Sequence, residues 1–192
     1  MPDVCVAVTF PVPLVPQPDK LSCWCGSMAM LVSYSRSASI APEELAEEVG
    51  RSLRTSYGWD MLETVKDHFG FVDIDLPSNA SLYPSPQQWN DWLNTYGPLW
   101  VTVTGAPSHA IIVRGVGGDL TPEGTTVDVN NPWDITASFS DDPIDFAPIN
   151  NGAAYTKSYA DFALDFATME LSDYGKWRVL YLPAASSAAQ TP

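Results

Sequence analysis

At 192 residues, 45% hydrophobic and with seven tryptophans, the chain has the length and composition of one globular domain with a real core, which excludes a disordered protein. Its formal net charge of −14 excludes nucleic acid and anionic membrane as partners, because both require cationic contacts. Such a surface is either a solvated acidic face or a match for a basic partner protein.

No stretch approaches the roughly 20 apolar residues that cross a bilayer. Residues 1–15 hold no Lys or Arg and are interrupted by Pro11 and Pro13, so they do not read as a Sec signal peptide. That leaves the cytoplasm, or export by another route. Three cysteines, Cys5, Cys23 and Cys25, are too few for a disulfide framework, and the odd count leaves a free thiol.

In chain order, residues 4–10 alternate loosely as a short strand and lead through prolines to Gln17. From there a polar loop runs into Cys23-Trp24-Cys25-Gly26, and the chain then turns apolar through Met28, Ala29, Leu31 and Val32. This is the pattern of a helix entering a core, with Ser22 as its N-cap. Residues 41–49 signal a second helix, with Pro42 in its first turn, and residues 58–69 a third, stopped by Gly70. Residues 85–96 form a fourth around Trp89 and Trp92.

Beyond this point the period changes. Residues 98–104, 110–116 and 125–129 are β-branched runs between Gly and Pro turns. Residues 139–153 read as a long Asp/Pro/Asn loop, 159–166 as a short helix, 177–182 as a strand and 184–192 as a disordered tail. Helices first and strands second give an α+β fold, a helical layer against an antiparallel sheet, as a single domain over residues 1–183.

Chemistry concentrates at Cys23. In a first helical turn, unpaired amides and the dipole favour a thiolate. Gln17, six residues upstream, can fold back and point its amide at whatever Cys23 attacks. A cysteine nucleophile needs a base, and only His68 and His109 are available. His68 lies within an amphipathic helix beside Phe69, as a surface histidine would. His109 begins a strand after a loop, where its imidazole would face the helical layer; the competing reading is a strand-end histidine bonded to a carbonyl.

The base needs an orienter. In the next strand, Asn131 ends the run before Pro132, where its amide oxygen can accept from the imidazole, with Trp133 covering the bond from water. Asp128 is the competitor: its carboxylate would stabilise imidazolium more, but it stands earlier in the strand. A turn without a role also fits Asn-Asn-Pro. Two histidines and scattered acids give no metal-ligand spacing, and Gly115-Val-Gly-Gly118 has no helix after it to make a phosphate loop, so neither metal nor cofactor is expected.

Gln17, Cys23-Trp24, His109-Ala110 and Asn131-Pro132-Trp133, in this order, resemble the papain-like cysteine peptidase superfamily. The spacing of 86 residues between Cys23 and His109 is similar to that of its bacterial branches, the double-glycine leader peptidases and the effector proteases of plant pathogens and interbacterial toxins. Two features depart from the pattern: Cys25 stands where a small residue is usual, about 200° around the helix from Cys23, and Asn131 replaces the Asp of many bacterial members. The resemblance implies a papain-like fold and a Cys23–His109–Asn131 triad with Gln17 in the oxyanion hole, supported by Trp24 and Trp133. It also implies a protein or peptide substrate, and an inhibitor or immunity protein as a further partner. The same thiol chemistry would serve an amidase on cell-wall peptides. A binding module that keeps only the scaffold is the reading outside enzymology.

Overall fold

The structure, a computed structural model, describes residues 5–55, 59–76, 84–104, 109–134, 150–170 and 176–183. The tail and most of the Asp/Pro/Asn loop read from the sequence lie outside these residues, as does the loop immediately before His109.

The elements run β1 (Val6–Thr9), α1 (Cys23–Arg36), α2 (Pro42–Glu48), α3 (Trp59–Phe69), β2 (Val72–Asp73), α4 (Pro86–Tyr96), β3 (Leu99–Thr104), β4 (His109–Gly118), β5 (Thr125–Asn131), β6 (Ala153–Ser158), α5 (Tyr159–Glu170) and β7 (Lys176–Tyr181). The strands form one seven-stranded sheet in the order β2-β7-β3-β4-β5-β6, with β1 paired to β4. Every pairing is antiparallel. The α+β class read from the sequence is therefore the observed one.

β4 is the central strand. Its first half pairs with β3 (Trp100 opposite Ile112), and its second half pairs with β1 (Val8 opposite Val116). The change of partner falls at a register shift between Val113 and Gly115 on the β5 side. Gly115 is required there, because an added Cβ would lie 2.7 Å from the Val8 carbonyl oxygen.

Strand alternation sends successive side chains to opposite faces. Trp100, Ala110, Ile112 and Leu180 pack under α1, α2 and α3, while Leu99, Val101, Val113 and Val179 pack with α4 and α5. Helices thus cover both faces of the sheet. On the first face, α1 is tied down by a buried polar bond: Trp100 Nε1 donates to Ser27 Oγ at 2.8 Å, and Ser27 Oγ donates to the Cys23 carbonyl at 2.7 Å. The start of α1 is thereby fixed against the middle of the sheet.

At the other end of the first face, Arg178 of β7 donates to Glu63 at 2.6 Å and to both oxygens of Asp73. Lys66 bridges the same two acids. This network joins α3 to β2 and β7. Among the described residues, no helix is long and apolar enough to cross a membrane.

Candidate active site

Cys23 is the first residue of α1 and is buried. Ser22 precedes it as expected, but does not cap the helix with its side chain. Its hydroxyl turns back into the loop, donating to the Asp19 carbonyl at 2.8 Å and accepting from the Asp19 amide at 2.9 Å. The first amides of α1 are left unclaimed by a cap. Those of Cys23 and Trp24, together with that of Ala110 on β4, favour the ionised Cys23 sulfur.

Burial outweighs these amides and pushes the Cys23 thiol up to about 11. The helix start favours a thiolate, and desolvation works against it.

Cys25 points the other way, as its angular offset implied. Its sulfur donates to the Pro42 carbonyl at 2.8 Å in the packing between α1 and α2, and burial pushes its thiol up. Cys5 is exposed, and all three cysteines are free.

His109 opens β4. Its register sets it in the row of Ile111 and Val113, while Ala110 belongs to the row beneath α1. His109 therefore stands at the sheet end, as expected, but in the row that packs with α4 and α5 and not in the row beneath α1. Its Nε2 lies 3.0 Å from Asn131 Oδ1. The same oxygen accepts the Trp133 amide at 3.0 Å. Burial holds the His109 pKa below its ordinary 6.5, opposed by the hydrogen bond to Asn131.

Asn131 also meets the Tyr155 hydroxyl on β6. Asp128 is elsewhere: opposite Gly115, it accepts from Thr9 at 3.1 Å and Thr156 at 2.6 Å. Trp133 is buried and holds Asn131 through its backbone, a contact the sequence did not announce. His68 is the surface histidine its context indicated, 2.9 Å from Glu48.

Gln17 is 2% exposed, and its Nε2 donates to the Asp19 carbonyl at 2.8 Å, using one of two amide hydrogens. Its Oε1, like the indole N–H of the fully buried Trp24, has no hydrogen-bond partner among the described residues. The Gln17 backbone amide donates to the Pro132 carbonyl at 2.9 Å, so this loop is stitched to the turn that follows Asn131. The stitch lies against α1 at Gly26, where a Cβ would come within 2.9 Å of Pro132 Cβ and 3.1 Å of the Gln17 amide nitrogen. Only glycine permits that approach.

The candidate site thus comprises a buried thiol at a helix start, an imidazole fixed by a carboxamide, and a second carboxamide on a loop packed against the thiol's helix. Sequence reading missed the roles of Gly26 and the Ala110 amide; of these, only the glycine carries a local signal. Among the described residues, no three His, Cys, Asp or Glu side chains stand together as metal ligands.

No curated protein matches the chain in sequence. In structure it is similar to the peptidase domain of Streptococcus ComA, a bifunctional ABC transporter involved in a quorum-sensing pathway. The TM-score is 0.51 at 16% identity, covering 90% of this chain and 98% of that one. That likeness shows that the two share a fold. Residues 6–140 match the family described as papain-like cysteine protease AvrRpt2. The chain therefore belongs to that family of cysteine proteases.

Proposed function

We propose that this cysteine protease hydrolyses peptide bonds in protein substrates through Cys23, His109 and Asn131, with Gln17 in the oxyanion hole. The observation that carries the reading is the 3.0 Å contact between His109 Nε2 and Asn131 Oδ1, beside a Cys23 sulfur that faces the amide of the next residue, Ala110. With Oδ1 accepting the Trp133 amide as well, Nε2 carries the proton and Nδ1 is the ring's base.

Burial disfavours the charged form of both groups, pushing the thiol up and the imidazole down. As the Cys23 sulfur attacks the substrate carbonyl, its proton passes to His109 Nδ1, and the carbonyl oxygen becomes an oxyanion. The Cys23 amide and the remaining Gln17 N–H stabilise that charge; losing one such donor costs on the order of 10²-fold or more. Imidazolium then protonates the leaving amine, giving a thioester. His109 next takes a proton from water, which hydrolyses the thioester and releases the acid and the free thiol. Gln17 and Cys23 belong to the helical half of the site, and His109 and Asn131 to the sheet.

Family membership favours a protein substrate over the peptides of the cell wall. It also supports a role as a bacterial effector or toxin, and with it an inhibitor or immunity protein as a partner. A net charge of −14 suits a basic one. Zymograms with casein and with purified peptidoglycan test the reading: casein should be cleared by the wild type and by Cys25→Ala but not by Cys23→Ala. Clearing of peptidoglycan alone would transfer the chemistry to an amidase. Clearing of neither would favour a binding module.

A further inference from the structure

Asn150 stands just before β6, in a stretch whose sequence marks it only as loop. Its side chain makes every hydrogen bond a carboxamide can make. Nδ2 donates to the Gln17 carbonyl at 2.9 Å and to the Pro132 carbonyl at 2.7 Å. Oδ1 accepts from the Asp134 amide at 2.7 Å and from the Gly152 amide at 3.0 Å. One half-buried side chain therefore ties together the Gln17 loop, the turn after Asn131 and the approach to β6.

The packing around it leaves little slack. The Gln17 amide reaches the Pro132 carbonyl, so both backbone groups of Gln17 are held from the sheet side. Gly152, at φ 64°, lies close enough that a Cβ would be 3.1 Å from the Asn131 carbonyl oxygen. Gly26 closes the other side of the joint.

We infer that Asn150 is a positioning residue that straps the oxyanion side of the site, Gln17, to the imidazole side, the Asn131–Trp133 turn. This rests on the function proposed above. Gln17 sits on a loop and owes its placement to distant partners, and a donor misplaced by about 1 Å loses much of its effect on a developing charge. The strap lies on the donor half of Asn150, through Nδ2. The acceptor half makes a local turn.

Asn150→Asp separates the two halves. It keeps an oxygen for the Asp134 and Gly152 amides, and sets a carboxylate oxygen against the Gln17 and Pro132 carbonyls, where no donor remains. Two probes read the outcome in the full chain, in a Cys5→Ser background that removes the exposed thiol. p-Nitrophenyl acetate acylates the thiol through a tetrahedral oxyanion: sulfur bonds to the acetyl carbon, its proton passes to His109, and p-nitrophenolate departs. Iodoacetamide alkylates it by displacing iodide and forms no oxyanion.

The strap requires acylation to fall at least tenfold in both Asn150→Asp and Asn150→Ala, with alkylation within twofold of wild type. Wild-type acylation in Asn150→Asp would reduce Asn150 to a turn residue and overturn the inference. An equal loss of both reactions would also overturn it, since the residue would then hold the thiol itself. Hydrogen exchange at the Gln17 amide reads the strap without catalysis: protected in the wild type, it should exchange at least tenfold faster in Asn150→Asp, and unchanged protection is contrary. A wild-type thiol inert to both probes would sink the enzymatic reading, leaving the exchange measurement to judge the strap.

Discussion

His109 Nε2 lies 3.0 Å from Asn131 Oδ1, an oxygen held in place by a second donor, the Trp133 amide. That arrangement sets the tautomer of the imidazole, and with it the acid side of the pH profile. His109 must be neutral to accept the thiol's proton, and burial keeps its pKa below 6.5, so activity should persist below that pH before failing. Asn131→Asp retains both acceptor bonds but sets a carboxylate beside the ring, which favours imidazolium and moves the acid limb to higher pH. Asn131→Ala releases the ring and should lower the rate on the order of 10²-fold. Profiles of kcat/KM for the three proteins check this, and an unmoved limb in Asn131→Asp counts against it.

Gly26→Ala tests the seam between α1, Gln17 and Pro132. The new methyl meets backbone at 3.1 and 3.2 Å, which cannot rotate away as a side-chain tip can. Overpacking of this kind costs about 1–3 kcal/mol. Displacing Gln17 by a fraction of an ångström should lower kcat by roughly tenfold or more while the protein stays folded. Turnover and thermal melts, measured together, give the result; wild-type kcat would show the seam to be unconnected with catalysis.

The ion network of Arg178, Lys66, Asp73 and Glu63 bears on acid stability. Burial pushes the Asp73 carboxyl up, but bonds and charges from Arg178 and Lys66 prevail and hold it below 3.8. Hydrogen bonds from Lys66 and Arg178 likewise hold Glu63 below 4.5. Depressed folded pKa values contribute stability that is complete above the unfolded values and is lost as pH falls through the folded ones. Melting temperature should therefore drop from about pH 4.5 downward. Arg178→Met should melt lower at pH 7 and show a flatter acid decline. Parallel curves for the two proteins would remove the network from acid stability.

Much of this was legible in the chain because it is local. Pro42 opens α2, Gly70 at φ 76° ends α3, and Ser85 caps α4 by accepting from Gln88 at 3.2 Å. Cys23, His109 and Asn131 stand at the ends of the elements their contexts indicated. What escaped depends on distant partners. β6 carries two alanines and a lysine, and is a strand because β5 lies beside it. β2 is two residues long and exists through its pairing with β7. The bonds of Asn150 to Gln17 and Pro132 span 133 and 18 residues, which no periodicity records. The opposing effect on the thiol escaped for a related reason: the helix start is visible in sequence, whereas the burial that pushes the thiol up arises only on packing.

The central claim is that Cys23, assisted by His109, is the nucleophile. An epoxide that traps papain-like thiols tests it most directly, because ring opening needs both an attacking sulfur and a proton for the departing oxygen. Peptide mapping after labelling should place the adduct on buried Cys23 in preference to exposed Cys5, and His109→Ala should abolish it. An adduct on Cys5 or Cys25, or labelling of Cys23 at the same rate without the imidazole, would contradict the account.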